Sequence, residues 1–514
     1  MRCCLPVPLG ALAGVPGPRE MLRSGLLLAP ALLRSATATA TAPRHPRSPA
    51  AVHLELVTLT EDRAVITWHT AQPGTDDGTG RMLPAVTEGE VVYGTHPARL
   101  DRAAGEDRPT AHHHVELTGL EPGRTYYYQA RSRGVPATPT ALHLMRGNAA
   151  GTSRYGLGSP GGPYSFTTPQ PPPGRHLLSL ALCNDLHIGE TVAGLVAGVP
   201  FLRGVAQRAG RTAYPELMSR AVVDEARLRG ADLLLAAGDI SAGGGPRDLA
   251  KARGILDRFG THRRDYLVVR GNHDRPARQD DTFHHAFGAP DGPGWFEHDA
   301  GGLRIIGLDT YDKHGNGGDA GALGAEQLSW LRRRLRAHRD QPTVVFGHHP
   351  LTVKDALFPV SPGQRLGRRQ ARALLRAYAD APGVFLHHAG HTHRNKRTHV
   401  ADAPQVTLQE VGAAKEYPGG FFLLRIHSGG YALNFFRARH GEALEWTERS
   451  RRQAGGLWPY HALGRTVTDR NSVTVRDLSG IGRPTRPSAP PRSPQGMTAP
   501  PNPGPDVARG TPPP

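Results

Sequence analysis

The order of apolar and polar positions divides the chain into two stretches of different periodicity. Between residues 51 and 168 the period is two. Segments 52–59, 64–68, 90–93, 114–117 and 126–131, separated by turn residues, read as the short strands of an all-β sandwich. From residue 177 the pattern changes. Apolar runs of strand length at 177–183, 233–237, 266–269, 303–308, 343–346 and 384–386 alternate with helical patterns at 214–228, 246–259, 325–337 and 368–379. That alternation predicts a layered α/β domain, which returns to strands between residues 405 and 436. Trp330 with Leu328, Leu331 and Leu335 marks a helix face turned to the core.

The remaining segments are read as boundaries. Residues 1–50 form a leader, 169–176 a Pro-rich linker with three consecutive prolines, and 441–514 a mostly disordered Pro-rich tail, leaving 51–168 and 177–440 as the two ordered domains. A Gly-rich stretch at 139–163 reads as an insertion or mobile loop, and 189–210 as either a lid or an exposed loop. A short apolar run at 26–33 after Arg23 fits a secretory signal read from Met21, and the Ala/Thr-rich leader fits a disordered segment equally, so secreted and cytoplasmic locations both stay open. No apolar run reaches the roughly 18 residues of a membrane span.

Composition narrows the partners. A length of 514 residues fits two or three domains, and 63 Gly with 47 Pro imply much turn and linker. The formal net charge of +17 comes almost wholly from Arg spread along the chain, which reads as solvated surface. It implies a modest attraction to phosphorylated small-molecule substrates and no specific nucleic-acid partner. Cys3, Cys4 and Cys183 cannot build a disulfide framework. Oligomeric state is not legible.

Five short motifs carry the chemistry, each at or just after the end of an expected strand, where open α/β sheets bind ligands. They are Asp185-Leu186-His187, Gly238-Asp239-Ile240, Gly271-Asn272-His273-Asp274, Gly347-His348-His349-Pro350 and Gly390-His391-Thr392-His393. Taken singly, most fit a turn or a helix cap. Together they offer a mixture of imidazole nitrogen and hard oxygen that suits Mn, Fe or Zn and not a thiolate site. His112, His113 and His114 read as a strand edge, and His284 and His285 as surface or packing.

This set resembles the calcineurin-like metallophosphoesterases over residues 177–437. The resemblance implies a β-sandwich flanked by helices that holds two divalent or mixed-valence metal ions (Mn, Fe or Zn). It implies that Asp185, His187 and His393 bind the first ion, that Asp239 bridges both, and that Asn272, His348 and His391 complete the second. It further implies that His273 contacts the substrate phosphate and protonates the leaving oxygen, with Asp274 as its orienting partner. Two ions ~3.5–4 Å apart would clamp an in-line displacement and supply an acidified water.

In the first stretch, Leu120, Pro122, Gly123 and Tyr126, with Trp68 and the closing Tyr164-Ser165-Phe166-Thr167-Thr168, resemble a fibronectin type III-like domain. Such domains precede the catalytic domain of purple acid phosphatase-like enzymes. Those phosphatases carry a Tyr three residues after the bridging Asp; here that position is Ala242. The expected activity is therefore hydrolysis of phosphate esters with a lean to phosphodiesters, as in the cyclic-nucleotide phosphodiesterase-like branch. A purple acid phosphatase-like phosphomonoesterase is the alternative, and a surface-binding protein with a non-catalytic metal site is the alternative of another class.

Overall fold

The computed structural model describes residues 48–482 apart from 76–81, 140–151, 154–162, 195–203, 275–280, 289–291, 313–317, 354–363 and 454–457. The leader up to residue 47, most of the Gly-rich stretch, the middle of 189–210 and the chain beyond 482 lie outside the described residues.

The N-terminal part is a β-sandwich. One sheet pairs Ala50–Leu59, Ala64–Ala71 and His112–Leu117; the other runs Arg102–Gly105, Gly89–Gly94, Thr125–Ser132, Tyr164–Thr167, Thr152–Ser153, with Val135–Pro136 attached to Thr125–Ser132. Trp68, Val91, Tyr126, Tyr128 and Phe166 meet between them. The Tyr126 hydroxyl accepts the backbone N–H of Glu121 at 2.9 Å, closing the Pro-Gly corner that the sequence suggests. The His tract lies on the edge strand of its sheet, but His113 faces inward. Its ring stacks on Trp68 at 4.5 Å and its Nδ1 meets Glu106 at 2.5 Å.

The second part is a pair of six-stranded sheets packed face to face. The first has the order Tyr266–Val269, Leu233–Ala237, His176–Cys183, Gly420–His427, Gly430–Arg437, Asn471–Val475; the second runs Phe296–Ala300, Leu303–Gly307, Thr343–Phe346, Val384–Ala389, Thr407–Glu410, Lys396–Thr398. Period-two geometry explains their continuous apolar runs, because both faces of each sheet are covered. Leu180 and Leu182 point between the sheets, against Ile305, Val344 and Phe346. Ala181 and Cys183 point outward, under the helices Tyr214–Leu228 and Pro246–Leu256. The helices Ala325–Ala337 and Arg368–Ala379 cover the far side in the same way, through Leu331, Leu335, Leu374 and Tyr378. Cys183 is buried as a free thiol. Among the described residues no helix is long and apolar enough to cross a membrane.

Order continues past residue 440, where the sequence reading began the tail. Helix Gly441–Ser450 buries Ala443 and Trp446, and Asn471–Val475 adds an edge strand beside Gly430–Arg437. These residues look like tail in sequence because they are polar, yet their polar atoms are used internally. The Arg470 guanidinium donates to the Leu56 carbonyl at 2.7 Å, and Asn471 exchanges hydrogen bonds with the backbone of Leu59 and Val57 at 2.9 and 3.1 Å. The segment thereby ties the N-terminal sandwich to the second domain.

A buried ion cluster reinforces that junction. Glu55, with no solvent exposure, accepts from Arg437 at 3.0 Å, from the Tyr417 hydroxyl at 2.7 Å and from Arg451. Glu55→Ala leaves the Arg437 guanidinium in the interface without its carboxylate and Arg451 with Glu448 alone. It is expected to lower stability by roughly 3–5 kcal/mol in urea unfolding, and a change under about 1 kcal/mol would show that the junction rests on apolar contact alone.

Candidate metal centre

The five motifs converge because of how their strands lie. Three follow neighbouring parallel strands of the first sheet, His176–Cys183, Leu233–Ala237 and Tyr266–Val269; two follow neighbouring parallel strands of the second, Thr343–Phe346 and Val384–Ala389. All five thus end at one edge of the two-sheet sandwich. Pairing continues beyond the strands: Asp185 N–H donates to the Gly238 carbonyl at 3.0 Å, His187 N–H to Asp239 at 2.9 Å, and Gly390 N–H to His348 at 2.9 Å.

The backbone there is strained. Among the described residues eight non-glycine positions have positive φ, and five of them are Asp185, His187, Asp239, His391 and His393. Left-handed conformations of such residues persist only where the surroundings over-determine them, and they cluster at functional sites. Close glycine contacts make room for the turns. A Cβ on Gly271 would stand 2.2 Å from the amide N and Oδ1 of Asp239, and one on Gly238, whose φ is +82°, would stand 2.7 Å from the His348 Cβ.

Two groups of donors result. In the first, Asp185 Oδ1 lies 3.1 Å from His393 Nε2 and 3.7 Å from His187 Nε2. In the second, His348 Nε2 lies 2.9 Å from Asn272 Oδ1 and 3.2 Å from His391 Nδ1. Asp239 stands between them, its Oδ2 3.3 Å from His187 Nε2 and 3.2 Å from His348 Nε2. The donor atoms of Asp185, His187 and His393 lie within 4.8 Å of one another, and so, as a separate set, do those of Asp185, Asp239 and His348.

The residues fit a cation. Asp185 Oδ1 and His187 Nε2 are buried without a hydrogen-bond partner, lone pairs aimed into the pocket. Burial alone would raise the Asp185 carboxyl, yet His393 and His187 hold it well below the usual range; His348 and His187 do the same for Asp239. Burial likewise opposes charge on His348, but Asp239 raises it to about 9. The pocket's carboxylates therefore demand positive charge, and the donor set is the nitrogen–oxygen mixture of Mn, Fe or Zn.

His273 lies beside this set. Its N–H donates to Asp239 Oδ1 at 2.8 Å, and its Nδ1 is 3.1 Å from the Ala242 carbonyl. Asp274 does not orient it, contrary to the sequence expectation. Its two oxygens accept from the backbone N–H groups of Ile240, Ser241 and Gly271 at 3.0, 2.8 and 3.0 Å and from the Ser241 hydroxyl at 2.9 Å. Asp274 is a brace for the Asp239 turn. Burial and the Asp239 charge push its carboxyl up to about 6.

Several supporting residues were not visible in the motifs. Glu190 Oε2 is 3.0 Å from His187 Nδ1, Glu416 Oε1 is 2.8 Å from His393 Nδ1, and the Ala237 carbonyl is 2.9 Å from His348 Nδ1. The Glu416 and Ala237 contacts are hydrogen bonds that fix their rings so that Nε2 faces the pocket, while Glu190 approaches the His187 ring as an ion-pair partner without a hydrogen bond. Asp319 accepts from the Asn272 amide at 3.2 Å, which turns Asn272 Oδ1 toward His348. His349 packs on His391 at 4.7 Å, but both its nitrogens are engaged, by Thr310 Oγ1 at 2.8 Å and the Asp319 carbonyl at 2.9 Å. Only Glu190 left a sequence signal, standing three residues after His187.

Residues 178–395 match the model of the calcineurin-like phosphoesterases, and residues 49–142 match that of the purple acid phosphatase N-terminal domain. A probable cyclic nucleotide phosphodiesterase of Synechococcus is 29% identical over 219 residues, covering 42% of this chain and 74% of that protein. A dimetal phosphatase from Danio rerio has a TM-score of 0.39 at 16% identity, covering 52% of this chain and 98% of that one. A purple acid phosphatase from yellow lupin (Lupinus luteus) seeds has a TM-score of 0.35 at 15% identity, covering 76% and 73%.

Gly271→Ala tests the packing of the bridge position. The added methyl must displace Asp239, so a stability loss of about 1–3 kcal/mol is expected in thermal unfolding. Unchanged stability would mean that the Asp239 turn yields freely.

Proposed function

We propose that this chain, which carries a calcineurin-like phosphoesterase domain behind a purple acid phosphatase-type N-terminal domain, hydrolyses phosphodiesters at a site that holds two metal ions. The carrying observation is the position of Asp239 Oδ2, 3.3 Å from His187 Nε2 and 3.2 Å from His348 Nε2, so that one carboxylate oxygen faces donors of both groups. Asp185, His187 and His393 would hold the first ion, Asn272, His348 and His391 the second, and Asp239 both.

Bound there, the ions supply Lewis acidity toward the phosphoryl oxygens and an acidified water. The protein's own residues do the rest. With Nδ1 facing the Ala242 carbonyl at 3.1 Å, His273 can only donate from that nitrogen. Its Nε2 is left to meet the substrate phosphate, and it can pass a proton to the leaving oxygen as the ester P–O bond breaks only from the imidazolium, which carries a proton on both nitrogens and which burial disfavours. The fixed turns at Asp185, Asp239 and His391 hold the donors in place, so little reorganisation is needed during reaction.

The lean to diesters rests on Ala242 and on the name of the Synechococcus relative, a probable cyclic nucleotide phosphodiesterase. Ala242 offers no phenolate to a ferric ion, so a purple centre does not fit. The match of residues 49–142 to the phosphatase N-terminal domain favours the monoester reading instead. One assay separates the two.

With added Mn²⁺, bis-p-nitrophenyl phosphate is expected to turn over faster than p-nitrophenyl phosphate, and the reverse order would select the monoesterase. Hydrolysis of neither by the metal-loaded chain would favour a binding protein. Asp239→Asn is expected to abolish turnover of both substrates and to lower bound metal below two ions per chain; full activity in that variant would end the bridging assignment. His273→Gln should reduce kcat by roughly 10²–10⁴-fold with metal content unchanged, as measured by steady-state kinetics and metal analysis.

A further inference from the structure

Lys415 belongs to none of the five motifs, yet it is 3% exposed and lies against the first donor group. Its Nζ forms an ion pair with Glu190 and stands 3.8 Å from Glu416 Oε2. Those are the carboxylates that contact His187 Nδ1 at 3.0 Å and His393 Nδ1 at 2.8 Å. The main chain of Lys415 is tied to the same place, with its N–H 3.4 Å from the Asp185 carbonyl and its own carbonyl accepting Trp446 Nε1 at 2.8 Å. Tyr214 donates to the second oxygen of Glu190 at 2.7 Å and stacks on Trp446 at 4.0 Å.

We propose that Lys415 is a positioning residue, a buried ammonium that holds Glu190 and Glu416 together and thereby sets His187 and His393 on the ion they share with Asp185. This rests on the two-ion reading above. The buried Glu416 and the partly buried Glu190 repel unless a cation separates them, and an uncompensated buried charge is strongly destabilising. Turned outward or protonated, either Glu would release the Nδ1 it fixes, and with it the direction of the Nε2 lone pair. Among the described residues no lysine joins two carboxylates behind the second donor group in this way. Its His348 is set by the Ala237 carbonyl at 2.9 Å and its Asn272 by Asp319 at 3.2 Å. The influence of Lys415 should therefore fall on one ion and not on both.

The test is calorimetric titration of Mn²⁺ into the chelator-stripped full chain. Wild type is expected to take up two ions. Lys415→Met should weaken one of the two by about 10–100-fold and leave the other near its wild-type affinity, whereas Lys415→Arg, which keeps the charge, should recover most of the loss. Wild-type affinities in Lys415→Met, or equal weakening of both ions in a natively folded variant, overturn the proposal. If Lys415→Met does not fold, Glu190→Gln keeps the side-chain shape and must show the same one-ion loss, and unaltered binding there counts against the clasp. A wild-type chain that takes up a single ion overturns the two-ion reading, while Lys415 is still judged on the affinity of that ion.

Discussion

Asp185 and Asp239 are buried to 0% and 1% exposure at the edge where two β-sheets meet, and the local structure follows from having to neutralise them there. An isolated carboxylate in such a place would take up a proton or unfold its surroundings. Instead each is ringed by imidazoles, and Asp274 spends its oxygens on the N–H groups of the adjoining turns. The carboxylates kept ionised in this way, with the imidazoles around them, are the groups that could hold a cation. Charge balance in the folded chain and the chemistry of the site are one problem with one solution.

Geometry is the second half of that solution. Parallel strands of two packed sheets deliver their carboxyl ends to a common edge, but strands alone would alternate side chains to opposite faces. Residues two apart nevertheless share a face, so Asp185 with His187, and likewise His391 with His393, can serve one pocket, and their positive φ values turn the chain there. Backbone pairing that runs on from Asp185 to Gly238 and from His187 to Asp239 holds the strained turns in place. Strain and pairing therefore support each other. Removing the space that Gly271 leaves would disturb Asp239 before it disturbed anything else.

The N-terminal sandwich contributes at a distance. Glu55 reaches across to Tyr417, Arg437 and Arg451, and Tyr417 directly follows Lys415 and Glu416 in the chain. The segment that supports His393 is thus pinned between the metal pocket and the domain junction. Helix Gly441–Ser450 completes the clamp through Trp446.

Sequence by itself determined most of the elements and suggested the donor list. Helical periodicity fixed the helices 214–228, 325–337 and 368–379, and continuous apolar runs fixed the strands 233–237, 266–269 and 343–346, because a long apolar stripe or run has to be buried. The five motifs stood out because each combines a glycine or a strand end with side chains that a plain turn does not require. Tertiary structure alone decided which residues support those donors. Glu416, Lys415 and Asp319 reach the site from segments far away in the chain, and Asp274 left its expected partner because three backbone N–H groups converge on it. Polar residues such as Arg470 and Asn471 look like tail until the backbone they satisfy is known. Local pattern records burial along one element; hydrogen bonds between distant segments exist only once both segments have been brought together.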